Sequence, residues 1–100
     1  MNLSVVIPVF NENESLPDLI KQLNEILKEF SKYEVVFVDD GSSDGSNEYL
    51  KAQTSKNENY KIIEFYRNFG KAAALSEGFK VAKGNYIITM DADLQDDPAE

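Results

Sequence analysis

The sequence of 100 residues contains no cysteine and no histidine. The absence of cysteine excludes a disulfide framework and a thiolate metal site. The absence of histidine removes the commonest general base and metal ligand. Any metal ion must therefore be held by oxygen atoms, which favours Mg²⁺, Mn²⁺ or Ca²⁺ over zinc.

Positive charge and long hydrophobic runs are also scarce. Only 10 Lys and Arg residues accompany 18 Asp and Glu residues, which gives a net charge of -8. This balance argues against nucleic acid as a partner and against a polybasic membrane contact. No apolar run approaches the roughly 20 residues of a membrane span, and the N-terminal segment MNLSVVIPVF lacks the basic flank and cleavage site of a signal peptide. We therefore expect a cytoplasmic location.

The apolar residues that are present fall into four β-branched runs, at positions 3–10, 33–40, 60–66 and 86–90. Such runs are typical of parallel strands that are buried on both faces, and Pro8 is expected to end the pairing of the first strand or to lie at its mouth. Helical patterns separate the runs, so the predicted order of elements is βαβαβαβ. This order predicts an α/β fold with a parallel sheet and right-handed crossovers.

Three segments between the runs have helical patterns. Apolar residues at helical spacing from Leu16 to Phe30 predict a first helix, with Asn13 or Ser15 as its N-cap. A shorter helix is predicted at about 47–54. The third helix is predicted to end near a glycine and to bury one face that consists of Ala72, Leu75, Phe79 and Ala82.

Each predicted strand is followed by a polar segment, in chain order PVFNENE, DDGSSDGS, YRNFGK and DADLQDD. The carboxyl ends of parallel strands meet at one edge of a sheet, and ligands of such folds bind at that edge. We therefore expect the four segments to lie close together, with side chains that converge on one ligand.

Asp91 and Asp93 follow the fourth strand with one residue between them. In an extended segment their side chains point the same way, and two adjacent carboxylates are unfavourable unless a cation joins them. A divalent cation held there would also bridge to the diphosphate oxygens of a substrate that this acidic protein otherwise repels. Alone, such a pair is more often a solvated acidic turn, but its place beside three other polar strand exits favours a metal site.

Three further groups are candidates for ligand contacts. Asp40, at the end of the second strand, can accept a hydrogen bond from a base or a ribose. Arg67 and Lys71 lie at a predicted helix N-terminus, where backbone amides attract phosphate; the alternative is two solvated charges beside a turn. Phe10 can stack on a base, or it can lie in the core as most phenylalanines do.

Taken together, the segments SVVIPVFNENE, VVFVDDGSSDGS, YRNFGKAAALSEGF and GNYIITMDADLQDDP resemble family-2 glycosyltransferases of the GT-A fold. The resemblance is closest to dolichyl-phosphate mannosyltransferases and bacterial undecaprenyl-phosphate glycosyltransferases. It implies a Rossmann-like sheet of order 3-2-1-4 with helices on both faces. It also implies a metal-dependent enzyme of cell-envelope glycan biosynthesis that transfers a hexose, with inversion, from a UDP or GDP sugar to a polyprenyl phosphate.

The resemblance also implies roles for individual residues. Nucleotide contacts are implied for Pro8, Phe10, Glu12, Val38, Asp40, Lys71, Asp91 and Ala92. A DxDxQ pattern that holds Mg²⁺ or Mn²⁺ is matched by Asp91, Asp93 and Gln95. Phe10 departs from the family pattern, in which tyrosine is common, so ring stacking remains but a hydroxyl hydrogen bond is lost. No catalytic residue is assignable from the resemblance in this part of the enzyme.

Family members continue beyond this motif with an acceptor-binding half, and many carry C-terminal membrane helices. We therefore interpret residues 1–100 as the nucleotide-sugar-binding part of a longer enzyme that works at the cytoplasmic face of the membrane. We expect this chain to be inactive alone and to self-associate through the surface left uncovered. The alternatives are a glycan or protein acceptor, or a fragment that only binds nucleotide. Receiver domains and haloacid-type phosphatases also gather aspartates at strand ends, but their acidic residues follow different strands.

Overall fold

Four parallel strands form one sheet in the order β3-β2-β1-β4 in the computed structural model, which describes residues 2–92. The parallel pairing and the strand order confirm the prediction. The elements alternate along the chain as β1 (Asn2–Val9), α1 (Leu16–Leu27), β2 (Lys32–Asp39), α2 (Ser46–Lys56), β3 (Tyr60–Glu64), α3 (Lys71–Val81) and β4 (Tyr86–Thr89).

Side chains of β1 and β2 alternate between the two faces of the sheet, because successive residues of a strand point in opposite directions. On one face, Ile7 and Phe37 belong to a core cluster that includes the buried residues of α1 and Leu50 of α2. On the other face, Val36 packs with Ala74 of α3. Helices therefore cover both faces, as predicted.

Helix α3 turns a different face to the sheet from the predicted one. Its buried residues are Ala74 and Gly78, whereas Phe79 is 45% exposed. A β carbon at residue 78 would lie 2.3 Å from Cγ1 of Val6, so the helix approaches β1 at the position that has no side chain. The predicted face of Ala72, Leu75, Phe79 and Ala82 was wrong because this close approach, rather than side-chain size, orients the helix.

Strand β4 is exposed, although the sequence predicted a buried strand. All of its residues are exposed, with Tyr86 at 58% and Ile88 at 46%. The physical reason is its position, because β4 lies at the edge of the sheet and pairs with β1 alone. Among the described residues, β4 therefore presents an apolar surface on both sides of the sheet.

Pro8 lies inside β1, one residue before its end, and is aligned with Val38 of β2. Val9 accepts a hydrogen bond from Asp40 on the β2 side, and Val6 accepts one from Met90 on the β4 side. Because backbone groups alternate in direction along a strand, Pro8 faces the β4 side, like Val6. The β4 ladder ends before it reaches Pro8, so the missing N–H removes no pairing.

A polar network ties the opposite end of the sheet together. The carboxylate of Glu34 on β2 accepts hydrogen bonds from Ser4 Oγ at 2.6 Å, from Lys61 Nζ at 2.7 Å, and from the backbone amide of Lys83. Ser4 in turn accepts from the amide of Gly84 at 2.8 Å. The network therefore joins three strands to the segment between α3 and β4. Within residues 2–92, no helix has the length and apolar character needed to cross a membrane.

Candidate functional site

A cavity of about 330 Å³ lies at the carboxyl edge of the sheet. All four strand exits contribute to it, which confirms that the polar segments gather at one edge. Its lining residues are Pro8, Phe10, Glu12, Asp40, Lys71, Asp91 and Ala92. The structure thus brings together seven of the eight residues predicted to contact a nucleotide.

Val38, the eighth predicted contact, lies elsewhere. Its side chain is fully buried on the α3 face of the sheet, beside Val36 and Ala74. It supports β2, which leads to Asp40, but does not line the cavity.

The loop after β1 is held by the loop after β2. Three successive backbone amides of the first loop donate to side chains of the second: Asn11 to Ser42 Oγ at 2.9 Å, Glu12 to Ser46 Oγ at 3.1 Å, and Asn13 to Asp44 Oδ2 at 3.0 Å. Asn11 has a φ of 52°, in the left-handed region that asparagine tolerates. These contacts fix Phe10 and Glu12 at the cavity.

Asp44 carries a charge that this arrangement stabilises. Burial raises the pKa of Asp44, but hydrogen bonds from Ser46 and from the amide of Asn13 outweigh it, so the net pKa lies below its ordinary value of 3.8. Its Oδ1 accepts from Ser46 Oγ at 2.6 Å. Asp44 thereby joins the loop after β1 to the start of α2.

Asp40 is nearly fully buried and is held by the loop after β3. Its Oδ1 accepts from the backbone amide of Phe69 at 2.7 Å. Its Oδ2 accepts from the amide of Gly70 at 3.0 Å and from Asn68 Nδ2 at 3.1 Å. These two loop amides therefore face a protein carboxylate rather than a ligand, and Asp40 positions the segment that leads into α3.

The two cations of that segment are separated in the structure. The Arg67 guanidinium lies 4.6 Å from the ring centroid of Phe69 and 5.7 Å from that of Tyr66, a cation–π arrangement outside the cavity lining. Lys71 lines the cavity, and its Nζ lies 2.6 Å from Oδ1 of Asp91. Lys71 is therefore the cation placed to meet an anionic ligand.

Among the predicted metal ligands, Asp91 lies within the described residues, and Asp93 and Gln95 lie outside them. Residues 2–92 contain no group of three acidic side chains that could hold a metal ion by themselves. Asp91 presents to the cavity a carboxylate, the kind of oxygen ligand that a hard cation such as Mg²⁺ or Mn²⁺ prefers. The chemistry of this residue therefore fits the predicted cofactor.

Several residues that build the site were missed by sequence reasoning. Asn68, Ser42 and Ser46 touch the loops that carry the cavity but do not line it. Their only signal in the sequence is that they are short polar residues in or next to strand-exit loops, where such side chains form hydrogen bonds with the backbone.

Residues 4–100 match the family model for Glycosyl transferase family 2. The chain belongs to this family. It is 46% identical over 100 residues to the undecaprenyl-phosphate 4-deoxy-4-formamido-L-arabinose transferase of Yersinia enterocolitica, and 42% identical to the enzyme of the same name from Pseudomonas fluorescens. Each alignment covers 98% of the chain, which spans 31% and 29% of the length of these two relatives.

Solved structures of glycosyltransferases share the fold. S. aureus TarS 1-349 superposes with a TM-score of 0.82 at 26% identity, over 99% of this chain and 32% of that one. The mannosyltransferase PcManGT of Pyrobaculum calidifontis, in complex with GDP-Man and Mn²⁺, superposes with a TM-score of 0.82 at 27% identity, over 91% of this chain and 27% of that one. The GT-A fold is therefore established for this chain.

Proposed function

We propose that this chain forms the nucleotide-sugar-binding part of a glycosyltransferase that transfers a hexose from a UDP or GDP sugar to a polyprenyl phosphate. The observation that carries the proposal is the cavity at the carboxyl edge, which collects Phe10, Glu12, Asp40, Lys71 and Asp91 from all four strand exits. The names of the relatives support the acceptor, and the bound ligands of the fold neighbours, GDP-Man and UDP-GlcNAc, support the donor class.

Each side chain of the cavity suits one part of such a donor. The half-exposed ring of Phe10 offers a surface for a base, and the carboxylates of Glu12 and Asp40 accept hydrogen bonds from base or ribose. The Lys71 ammonium attracts the diphosphate. Mg²⁺ or Mn²⁺ would be held by Asp91 with Asp93 and Gln95, and when bound it supplies neutralisation of the negative charge that develops on the leaving diphosphate.

The acceptor proposed here needs little help from a general base. A polyprenyl phosphate is already anionic at neutral pH, so its oxygen can attack the sugar carbon with inversion without first losing a proton. We place the parent enzyme at the cytoplasmic face of the membrane, where a lipid phosphate and a nucleotide sugar meet.

We also infer that this chain associates with itself when expressed alone. The support is the exposed apolar side chains of β4, Tyr86, Ile87 and Ile88. Exposed apolar surface of this kind tends to find partners.

The proposed donor site is tested by calorimetric titration of the chain with UDP and with GDP, each in the presence of Mn²⁺. We expect one of the two nucleotides to bind, and Asp91→Ala to weaken it by about tenfold or more, or about 1.4 kcal/mol. Asp18→Ala is the matched control, because Asp18 is an exposed acidic residue of α1 outside the cavity. If neither nucleotide binds, or if both variants behave alike, the proposed site is wrong.

A further inference from the structure

The ion pair between Lys71 and Asp91 joins the first residue of α3 to the exit of β4. The Lys71 Nζ lies 2.6 Å from Asp91 Oδ1, and the two residues face the same cavity. Both side chains are well exposed, at 62% for Lys71 and 44% for Asp91. An ion pair that is this accessible to water contributes little to folding stability, so it can open at small cost.

The charges around the pair explain why a cation is needed there. Asp40 and Glu12 line the same cavity as Asp91, and the chain as a whole carries a net charge of -8. Carboxylates that lie close together repel one another unless a positive charge joins them. In the described structure the positive charge in contact with Asp91 belongs to Lys71.

We propose that Lys71 is an exchangeable counter-ion for Asp91. In the nucleotide-free protein its ammonium forms an ion pair with the Asp91 carboxylate. When a nucleoside diphosphate enters the cavity, the ammonium moves to a diphosphate oxygen. Asp91 is then released to a divalent cation. This inference rests on the proposed function and adds to it a coupling between two ligands.

The coupling has a definite direction. Without nucleotide, a divalent cation at Asp91 must first displace the ammonium, so its binding is weak. With nucleotide, the diphosphate offers Lys71 a new partner, so the same cation binds more tightly. Because coupling free energies are reciprocal, the cation must also tighten nucleotide binding by the same factor.

The test is a titration of Mn²⁺ into the chain, followed by the electron paramagnetic resonance signal of free Mn²⁺, with and without the nucleotide that binds. Lys71→Met keeps the length of the side chain and removes its charge. We expect it to bind Mn²⁺ about tenfold more tightly than the wild type without nucleotide, a typical size for coupled sites. We also expect nucleotide to increase its Mn²⁺ affinity less than it does in the wild type.

Two variants separate this exchange from a general change of charge. Lys71→Arg keeps a cation at the same place and should keep weak Mn²⁺ binding. Lys80→Met removes a cation from the same helix, one that pairs with Glu77 instead, and should leave Mn²⁺ binding unchanged. If Lys71→Met binds Mn²⁺ no more tightly than the wild type, while nucleotide still promotes Mn²⁺ binding to the wild type, the exchange is wrong and the proposed function stands. If the wild type binds neither Mn²⁺ nor nucleotide, both are wrong.

Discussion

Gly41 packs directly against the backbone of Arg67. A β carbon at residue 41 would lie 2.3 Å from the carbonyl carbon of Arg67 and 2.5 Å from the amide nitrogen of Asn68. The φ angle of Gly41 is +78°, which other residues rarely adopt. The loops after β2 and β3 therefore touch main chain to main chain, and this contact places the start of α3 next to Asp40.

Gly41→Ala is expected to destabilise the fold by about 2–5 kcal/mol, because backbone strain of about 1–3 kcal/mol adds to a clash that no side-chain movement relieves. Gly70→Ala is the control: its φ is +101°, but a β carbon there meets no atom within 4 Å. Gly70→Ala should therefore lose only the part of the folding stability that corresponds to backbone strain. Urea denaturation measures both, and an equal loss of stability in the two variants would contradict the proposed contact.

Asn68→Ala is expected to weaken nucleotide binding although Asn68 does not line the cavity. Its Nδ2 donates to the Asp40 carboxylate at 3.1 Å, so its removal loosens the loop that carries Lys71. Asn47→Ala removes a comparable bond to Asp39 Oδ2, at 3.0 Å, on the other side of β2. Each variant should lose about 1.5–3 kcal/mol of stability, the usual contribution of a hydrogen bond to a charged group, but only Asn68→Ala should lower nucleotide affinity in calorimetry. A similar loss of affinity in both would show that the effect is general.

Gly78→Ala is expected to destabilise the protein by about 1–3 kcal/mol, the usual cost of overpacking a core. This reverses the ordinary effect, since alanine in a helix interior is about 0.5–1 kcal/mol better than glycine. The new methyl would meet Cγ1 of Val6 at 2.3 Å. In a double-mutant cycle, Val6→Ala should recover part of the loss. Ser76→Ala, on the exposed side of α3, should be neutral or stabilising.

The loss of folding stability at acidic pH is expected to depend on Glu34. Burial raises the pKa of Glu34, but hydrogen bonds from Lys61, the Lys83 amide and Ser4 outweigh it, so the net pKa lies below its ordinary value of 4.5. The unfolded chain therefore binds this proton more readily than the folded chain. The stability contributed by the ionised carboxylate is fully present above about pH 4.5 and is lost as pH falls through the lower, folded-state pKa.

The measurement is denaturant unfolding between neutral and acidic pH. Glu34→Gln should be less stable than the wild type by about 1.5–3 kcal/mol at neutral pH, and this difference should shrink as the pH falls. Glu64→Gln removes a more exposed ion pair with Lys51 and should cost about 1 kcal/mol or less. A stability difference for Glu34→Gln that does not change with pH would contradict this account.

Polar substitution on β4 is expected to reduce self-association. Ile87 and Ile88 are 43% and 46% exposed and point to opposite sides of the sheet. The double variant Ile87→Thr/Ile88→Thr keeps β-branched side chains and removes apolar surface, so sedimentation velocity should show a shift toward monomer. Ile26→Thr is the control, because Ile26 is 53% exposed and lies on α1, away from β4 in the fold. Unchanged association in the β4 variant would place the contact elsewhere.

The parallel sheet and the gathering of the polar segments at one edge could be predicted because they depend on local signals, whereas the strand order and the individual contact residues came from the resemblance to family-2 glycosyltransferases. Each β-branched run formed a strand, and each polar segment after it came to the same edge, so Phe10, Asp40 and Asp91 converge although they are far apart in sequence. The geometry of a parallel sheet makes this convergence automatic once the strands are identified.

The orientation of α3 and the partners of Asp40 could not be predicted in the same way. A helical pattern predicts that the face with the large apolar side chains is buried. The face that packs here includes Gly78, which lets the helix approach β1 because it has no side chain. Asp40 lines the cavity as predicted, but nothing in the sequence indicated that its carboxylate also accepts hydrogen bonds from the amides of Phe69 and Gly70. Both outcomes depend on how closely two backbones approach, and one sequence does not specify that distance.

The lining of the cavity runs from Pro8 to Ala92, almost the whole length of the described chain. A chain is synthesised from its N-terminus, and the inner strand β1 must wait for β4 to leave the ribosome before that side of the sheet is paired. A ligand stabilises only the state that binds it. A nucleotide therefore cannot favour the correct fold before the cavity is complete. The complete cavity therefore forms late, and the first three strands must hold together without a ligand in it.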